Sequence, residues 1–299
     1  IGGGFLVKGA VALAKRFNIP TMVIGLTIVS FGTSAPELLV SLQAALDGHP
    51  DIAIGNVIGS NIANIALVLG LTAIVLPIPV ARGTIRVDEP VMIAGTLLLW
   101  YFMNDAVITR MEGAILFGML LLYLFVLMRG VKTKKSEAVL QMEEEEVHMA
   151  LWKAVVLILG GCVGLVFGSD LLVKGATELA LRFGVSEYVI GVTVVAFGTS
   201  VPELATSLVA AFKKELDISV GNLVGSNIFN IFSILGITAM VTPIPVNPLV
   251  LSSDVYWLAA VTVLVYFFSL HKMRIQRWKG FILLAAYMAY VYFVLNPQS

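Results

Sequence analysis

The chain holds almost nothing from which to build a thiol or imidazole site. Cys162 is its lone cysteine and lies in an apolar run, which excludes a disulfide framework and a cysteine metal cluster. Its three histidines, His49, His148 and His271, all fall in predicted loops. Neither sign of charge is in excess: 19 Lys and Arg balance 19 Asp and Glu, so no basic footprint for nucleic acid is present. Charge of any kind is scarce, at 13% of residues against 59% hydrophobic, with a mean hydropathy of +0.96. Soluble domains carry about 25% charged residues. A single soluble core cannot hide this much apolar surface, so a bilayer is the expected surrounding for most of the 299 residues.

What the chain does have is a series of apolar runs, at 20–46, 52–77, 87–104, 112–129, 151–180, 186–212, 218–243, 250–270 and 280–295. About 20 apolar residues cross the hydrocarbon, so the longer runs must tilt or be interrupted. Residues 1–17 read as a further helix, incomplete in this chain. Their counterpart at 167–183 follows the apolar lead LWKAVVLILGGCVGLVF, which the first copy lacks. By the repeat offset, about 16 residues of that helix are expected to be missing. The fold expected is an all-α polytopic membrane protein with two repeats of five helices, at 1–129 and 151–299. The linker 130–150 is the long polar stretch between them, and Glu143 to Glu146 within it read as a solvated acidic run rather than a cation sensor.

An odd number of helices per repeat makes the second copy enter the membrane from the opposite side, giving an inverted repeat. The basic residues test this count independently. One face collects Lys15, Arg16, Arg82, Arg86, Arg129, Lys132, Lys134, Lys135, Lys153, Lys213, Lys214, Lys272, Arg274, Arg277 and Lys279. The other keeps Arg110 and Arg182, while Lys8 and Lys174 lie within helices and read as interfacial anchors. By the positive-inside rule the rich face, with the linker, is expected to be cytoplasmic and the termini outside. Asp88 and Glu89 precede Pro90 and are expected at a helix start, where the helix dipole suits acids.

The polar residues inside these apolar runs come in duplicate. SFGTSAPE at 30–37 recurs as AFGTSVPE at 196–203, and GNVIGSNIANI at 55–65 recurs as GNLVGSNIFNI at 221–231, all 166 positions apart. Polar groups at membrane depth are costly and mark functional sites by default. Pro36 lacks an N–H and clashes with the carbonyl of Gly32, so the helix is expected to loosen around Gly32, Thr33 and Ser34. Such freed carbonyls are tolerated in a bilayer only where protein, water or an ion satisfies them. Thr33 and Ser34 add hydroxyls and Glu37 a carboxylate; Thr199, Ser200, Pro202 and Glu203 repeat the set. Asn56, Ser60 and Asn64 share one helical stripe, as do Asn222, Ser226 and Asn230. Gly55 and Gly59, and their counterparts Gly221 and Gly225, suit close helix packing. Asn61 and Asn227 suit interhelical hydrogen bonding. These donors are all hard oxygens, with no Cys or His, which suits Ca²⁺, Na⁺ or a proton rather than zinc or copper. Two carboxylates balance one Ca²⁺, and Na⁺ or H⁺ competing for the same groups would couple opposite ion movements. A channel usually rings its pore with several subunits, whereas here both half-sites lie in one chain. No nucleophile–base pairing inside the membrane supports an enzyme.

The paired GTSxPE and GNxxGSN motifs resemble the two alpha-repeats of the cation/Ca²⁺ antiporter superfamily, in its sodium/calcium exchanger branch of prokaryotic type, over nearly the whole chain. The resemblance implies a non-enzymatic antiporter of a prokaryotic inner membrane, with ten transmembrane helices. Its transported ions are Ca²⁺ and Na⁺, and no covalent cofactor is implied. The central site is implied to come from helices 2, 3, 7 and 8, while helices 1 and 6 slide against the rest. The implied ligands are Thr33, Ser34, Glu37 and the carbonyl of Ser30; Ser60 and Asn64; Thr199, Ser200, Glu203 and the carbonyl of Ala196; and Ser226 and Asn230. Glu37 and Glu203 are implied to bridge Ca²⁺. Potassium-dependent members carry Asp where this chain has Asn230, which argues against K⁺ co-transport. The proton-coupled branch carries a GNxxE-type motif where this chain has Asn64 and Asn230, so H⁺ coupling stands second to Na⁺.

Overall fold

A bilayer leaves apolar backbone few options, since every N–H and C=O must be satisfied within its own helix. The computed structural model describes residues 1–138 and 149–295, and among these the chain forms ten helices in sequence. Helix 1 is Gly2–Phe17, and helix 2 is Thr21–Thr33 followed by Ala35–Leu46. Helix 3 is Pro50–Val75, helix 4 runs from Thr84–Asp88 into Glu89–Phe102, and helix 5 is Arg110–Ala138. Helix 6 is Leu151–Arg182, and helix 7 runs from Glu187–Val189 into Ile190–Phe212. Helix 8 is Leu216–Val241, helix 9 Val250–Leu270 and helix 10 Arg277–Leu295. Seven of them are long and apolar enough to cross a membrane, and the bent helix 2 makes an eighth.

Helices 1–5 and 6–10 are two repeats of opposite sense. Helix 1 packs antiparallel on helix 6, with Gly2 against Gly161 and Gly9 against Ala154. Helix 3 meets helix 7 through Gly55 and Gly59, and helix 8 meets helix 2 through Gly221 and Gly225. At Gly9, Gly161, Gly59, Gly221 and Gly225 a neighbouring backbone leaves no room for a Cβ, and at Gly2 and Gly55 the fit would be tight. Two short antiparallel ladders repeat the symmetry. Ile78–Pro79 pairs with Arg274–Ile275 at one end of the bundle, and Val107–Ile108 with Ile244–Pro245 at the other.

The layering follows from which helices carry polar stripes. Within their apolar windows, 83% of helix 3 and of helix 8 is buried, against 17% of helix 6. The two helices that carry the Asn-Ser stripes are therefore the innermost, with Ile54, Ile58, Ile62, Leu223, Ile228 and Phe232 packing around those stripes. Helix 6 turns Leu159, Val163, Phe167 and Leu171 outward, as a lipid-facing surface does.

The helix boundaries depart from the sequence reading in places. Helix 4 begins at Thr84, not residue 87, with a π-helical turn over Thr84–Asp88. Asp88 and Glu89 therefore sit one turn inside the helix, not at its exposed start, and both are buried. Asp88 accepts from Tyr123 at 2.9 Å and Glu89 from Ser269 at 2.6 Å, so hydrogen bonds rather than the helix dipole alone hold them. Helix 5 continues to Ala138, into the stretch read as linker. Glu143 to Glu146 and His148 lie outside the described residues. Lys174 is exposed and pairs with Asp170 at 2.9 Å, and Lys8 is exposed on helix 1.

Candidate cation site

The site begins with two broken helices. Helix 2 bends by 42° between Thr33 and Ala35, where Ser34 takes φ −84° and ψ 7°. Ser200 takes φ −79° and ψ −2° at the matching point of helix 7. Pro36 and Pro202 sit two residues past these points, as the missing N–H and the clash with the preceding turn require. The carbonyl that Pro202 frees is that of Gly198, and Ser169 of helix 6 donates to it at 2.9 Å. The repeat mate of Ser169 is Gly3, which has no hydroxyl to offer Gly32. At that break helix 6 instead brings Cys162 against Gly32.

A second distortion was not foreseen from the motifs. π-Helical turns occur at Gly25–Val29, Ala63–Leu69 and Thr84–Asp88, and again at Ile190–Val195, Asn230–Leu235 and Val250–Asp254. Such turns are rare and concentrate at functional sites, because the extra residue leaves carbonyls poorly matched to donors. The turns ending at Val29 and Val195 run directly into Ser30 and Ala196, whose carbonyls the resemblance places in the site. Ser30 uses its own hydroxyl to fill part of this gap, donating to Gly25 O at 2.7 Å.

The broken helices of one repeat meet the polar stripe of the other. Thr33 donates to Asn222 Oδ1 at 2.9 Å, and Thr199 to Asn56 Oδ1 at the same distance. Thr33 lies 3.4 Å from the Ser226 hydroxyl, and Thr199 lies 3.1 Å from that of Ser60. Ser60 also reaches the Ala196 carbonyl at 3.3 Å. Asn56 and Asn222 thus act as clamps: each accepts from a threonine across the interface and donates back to its own repeat. Asn56 Nδ2 donates to Ser41 at 2.8 Å and to Glu37 O at 3.2 Å, and Asn222 Nδ2 to Ser207 at 3.3 Å. Near the two-fold axis, Asn61 and Asn227 each donate to the other's backbone carbonyl, at 3.3 and 3.4 Å. Asn64 Nδ2 donates to Asn227 Oδ1 at 3.3 Å. The interhelical bonding expected of Asn61 and Asn227 is present.

The two carboxylates are treated differently. Glu203 Oε1 accepts from Ser34 at 3.1 Å and from Ser226 at 3.2 Å. Both oxygens of Glu37 are buried without a hydrogen-bond partner, as is Glu203 Oε2. Also buried and unpartnered are Ser200 Oγ, Asn64 Oδ1 and both side-chain polar atoms of Asn230. Buried polar atoms are nearly always satisfied, so this many orphans in one place call for an external partner. Nearly all of the orphans are oxygens, and they come from helices 2, 3, 7 and 8 together. No cluster of three or more His, Cys, Asp or Glu forms among the described residues. The donor set is therefore two carboxylates filled out by hydroxyls, amide oxygens and carbonyls, which suits hard cations.

Comparison with known proteins bears on the fold and the family. The model of the "Sodium/calcium exchanger protein" family matches residues 1–129 and 153–296. The CaxA protein of Alkalimonas amylolytica is 41% identical over 97% of this chain and 93% of its own length. Inner membrane protein YrbG of Escherichia coli (strain K12) is 35% identical over 87% of this chain and 81% of its own. Solved structures of the sodium-calcium exchanger NCX_Mj, soaked with Na⁺ and Ca²⁺ or Sr²⁺, superpose with TM-scores of 0.81 and 0.82. They are 32% identical and cover all of this chain and 94% of theirs. With the family model spanning both repeats, the chain belongs to the sodium/calcium exchanger protein family.

Proposed function

We propose that this protein is a secondary antiporter that exchanges Na⁺ for Ca²⁺ across the membrane by alternating access. The observation that carries this reading is the cluster of buried, unpartnered oxygens contributed equally by two inverted repeats. Glu37 and Glu203 bridge Ca²⁺ in this proposal. Thr33, Ser34, Ser60, Asn64, Thr199, Ser200, Ser226 and Asn230, with the carbonyls of Ser30 and Ala196, complete its shell and hold Na⁺ in turn. A shell of mixed neutral and charged oxygens suits either ion, whereas only one set of charges fits between two carboxylates at a time. The Lys- and Arg-rich loops face the cytoplasm of a prokaryotic cell membrane, with the 130–150 linker on that side.

Purified protein in sealed liposomes tests the coupling. Ca²⁺ uptake is expected to follow an outward Na⁺ gradient, to be indifferent to K⁺, and to show saturable counterflow. Uptake that follows a pH gradient in the absence of Na⁺ would establish the H⁺-coupled alternative instead.

The asparagine clamps support the site without ligating in this proposal. Asn56→Ala and Asn222→Ala are each expected to weaken Ca²⁺ binding by about 10–100-fold, as loss of a ligand's supporting partner does. Equilibrium binding of radioactive Ca²⁺ to detergent-solubilised protein measures it, and unchanged affinity in both variants would remove the clamps from the site.

A further inference from the structure

A cavity of about 450 Å³ opens between the second half of helix 2 and the middle of helix 6. Its size falls within the range of about 300–1,000 Å³ usual for small-ligand sites. Pro36 and Leu39 line it on helix 2, and Cys162, Val163, Val166 and Phe167 on helix 6. Leu39, Val163 and Phe167 are also exposed, so its mouth opens through an apolar flank of the bundle. Ser169 and Asp170 line it as well, but the Ser169 hydroxyl is already used on the Gly198 carbonyl. Water gains little in a cavity with so few polar partners.

The cavity has a charged end. Val163, Phe167, Asp170 and Lys174 are spaced i, i+4, i+7 and i+11, which sets them along one stripe of helix 6. Lys174 pairs with Asp170 at 2.9 Å at the end of this stripe nearer Arg182. From Asp170 down to Cys162 is eight residues, or about 12 Å of helix. Cys162 lies against Gly32, and Pro36 beside it is two residues past the helix break at Ser34. A partner here must therefore be apolar over about 12 Å and carry charge of both signs at one end. A second transmembrane helix is too thick: at 10–12 Å across, it fills roughly twice the cavity volume over that length. An acyl chain is thin enough. A headgroup with a phosphate for Lys174 and an ammonium for Asp170 matches the charged end.

We propose that this cavity is a phospholipid site, taking one acyl chain between helices 2 and 6 and a zwitterionic headgroup of the phosphatidylethanolamine kind at Asp170 and Lys174. The chain then ends against Pro36, beside the broken segment of helix 2. The lipid is a bound partner and not cargo, so the site stands apart from the identity of the exchanged ions. The first repeat does not duplicate it, since Gly4 stands where Asp170 has its carboxylate.

Native mass spectrometry of the detergent-solubilised protein, titrated with phosphatidylethanolamine, tests the assignment. The wild type is expected to bind one lipid saturably and to prefer it to phosphatidylglycerol, which has no ammonium. Leu39→Trp and Val163→Trp fill the cavity from its two walls and should remove that binding, while Leu122→Trp, on exposed helix 5, should retain it. Lys174→Gln should weaken it by about fivefold, the worth of one basic residue at a lipid headgroup. Asp170→Asn should turn the preference toward phosphatidylglycerol, a reversal that a misfolded variant would not give. Glycerophosphoethanolamine, a headgroup without chains, should not compete. Equal lipid binding in the two cavity variants and Leu122→Trp would show only a general lipid coat and overturn the proposal. Competition by the chainless headgroup would overturn the acyl-chain site, and a wild type indifferent to the two headgroups would overturn the role of Asp170 and Lys174.

Discussion

Glu37→Gln is expected to abolish Na⁺-driven Ca²⁺ uptake and, at the same time, to make the ion-free protein more stable. The two effects share one cause. Both Glu37 oxygens are buried without a partner, and Glu203 has only one oxygen satisfied. A bound Ca²⁺ would neutralise the pair; without it, the fold holds carboxyl groups whose desolvation nothing offsets. Removing an uncompensated buried charge while keeping its shape is often neutral or stabilising, by about 1–4 kcal/mol where ion pairs have been replaced. Gln keeps that shape and one oxygen, so the helix 2 break should survive. The wild type, by contrast, should gain about 2.7 kcal/mol from Ca²⁺ at a hundred times its dissociation constant. The measurement is thermal unfolding with and without Ca²⁺, beside the liposome flux. Ca²⁺ should raise the transition in the wild type and leave it unmoved in Glu37→Gln and Glu203→Gln. The gain in ion-free stability should be larger for Glu37→Gln, since Glu203 has two serine donors to lose. Near-normal flux in both variants would sink the ligand assignment.

Much of this site was legible because it is written twice. An intramembrane glutamate or a kinking proline is ambiguous by itself. At a constant offset of 166, with an odd helix count, the two copies must approach from opposite sides, and the structure brings them together. The break at Ser34 follows from Pro36 by simple sterics, and the stripe of Asn56, Ser60 and Asn64 from helical spacing. The roles within the stripe were less accessible. Asn56 and Asn64 share residue type and face, yet Asn56 is fully engaged as a clamp while Asn64 keeps an unpartnered oxygen. Only the partner helix decides that, and helical periodicity carries no information about it.

The π-helical turns were not legible for a related reason. A π-turn needs one extra residue in a helix that continues on both sides, and no residue type signals it as Pro signals a kink. The sequence carries one cue. The repeat pairs Asp88 with Asp254, outside both motifs, and each ends such a turn. Pro90 favours the first turn of a helix, so the local sequence points to a helix start at Asp88 and Glu89, whereas the helix already begins at Thr84. Tyr123 and Ser269, which actually hold the two acids, are distant in sequence.

Gly59→Ala and Gly225→Ala are expected to damage the site from outside it, more than any other single methyl addition. At Gly59 a Cβ would stand 2.6 Å from both the Ala196 Cβ and the Val192 carbonyl oxygen. At Gly225 it would stand 2.8 Å from the Leu26 carbonyl oxygen and against the Ser30 hydroxyl. The atoms in the way are mostly backbone, in or next to the π-turns that present Ser30 and Ala196, so no flexible side chain can give way. The helix pair must separate, and overpacking of this kind costs about 1–3 kcal/mol. The functional cost should exceed the stability cost. Ser60 reaches the Ala196 carbonyl and the Thr199 hydroxyl across this same contact, at 3.3 and 3.1 Å. A shift of the helices moves ligands of one repeat away from those of the other, and a fall in Ca²⁺ affinity of about 10–100-fold is expected by analogy with loss of a supporting partner. Gly118→Ala and Gly160→Ala are the controls, because a Cβ at either meets nothing within 4 Å. Binding and thermal unfolding should leave both controls near wild type. Equal loss in all four variants would mean that glycine is needed for helix flexibility and not for the approach of helix 3 to helix 7 and of helix 8 to helix 2. Loss confined to Gly59 and Gly225 places the requirement in the contact that holds the two half-sites in register.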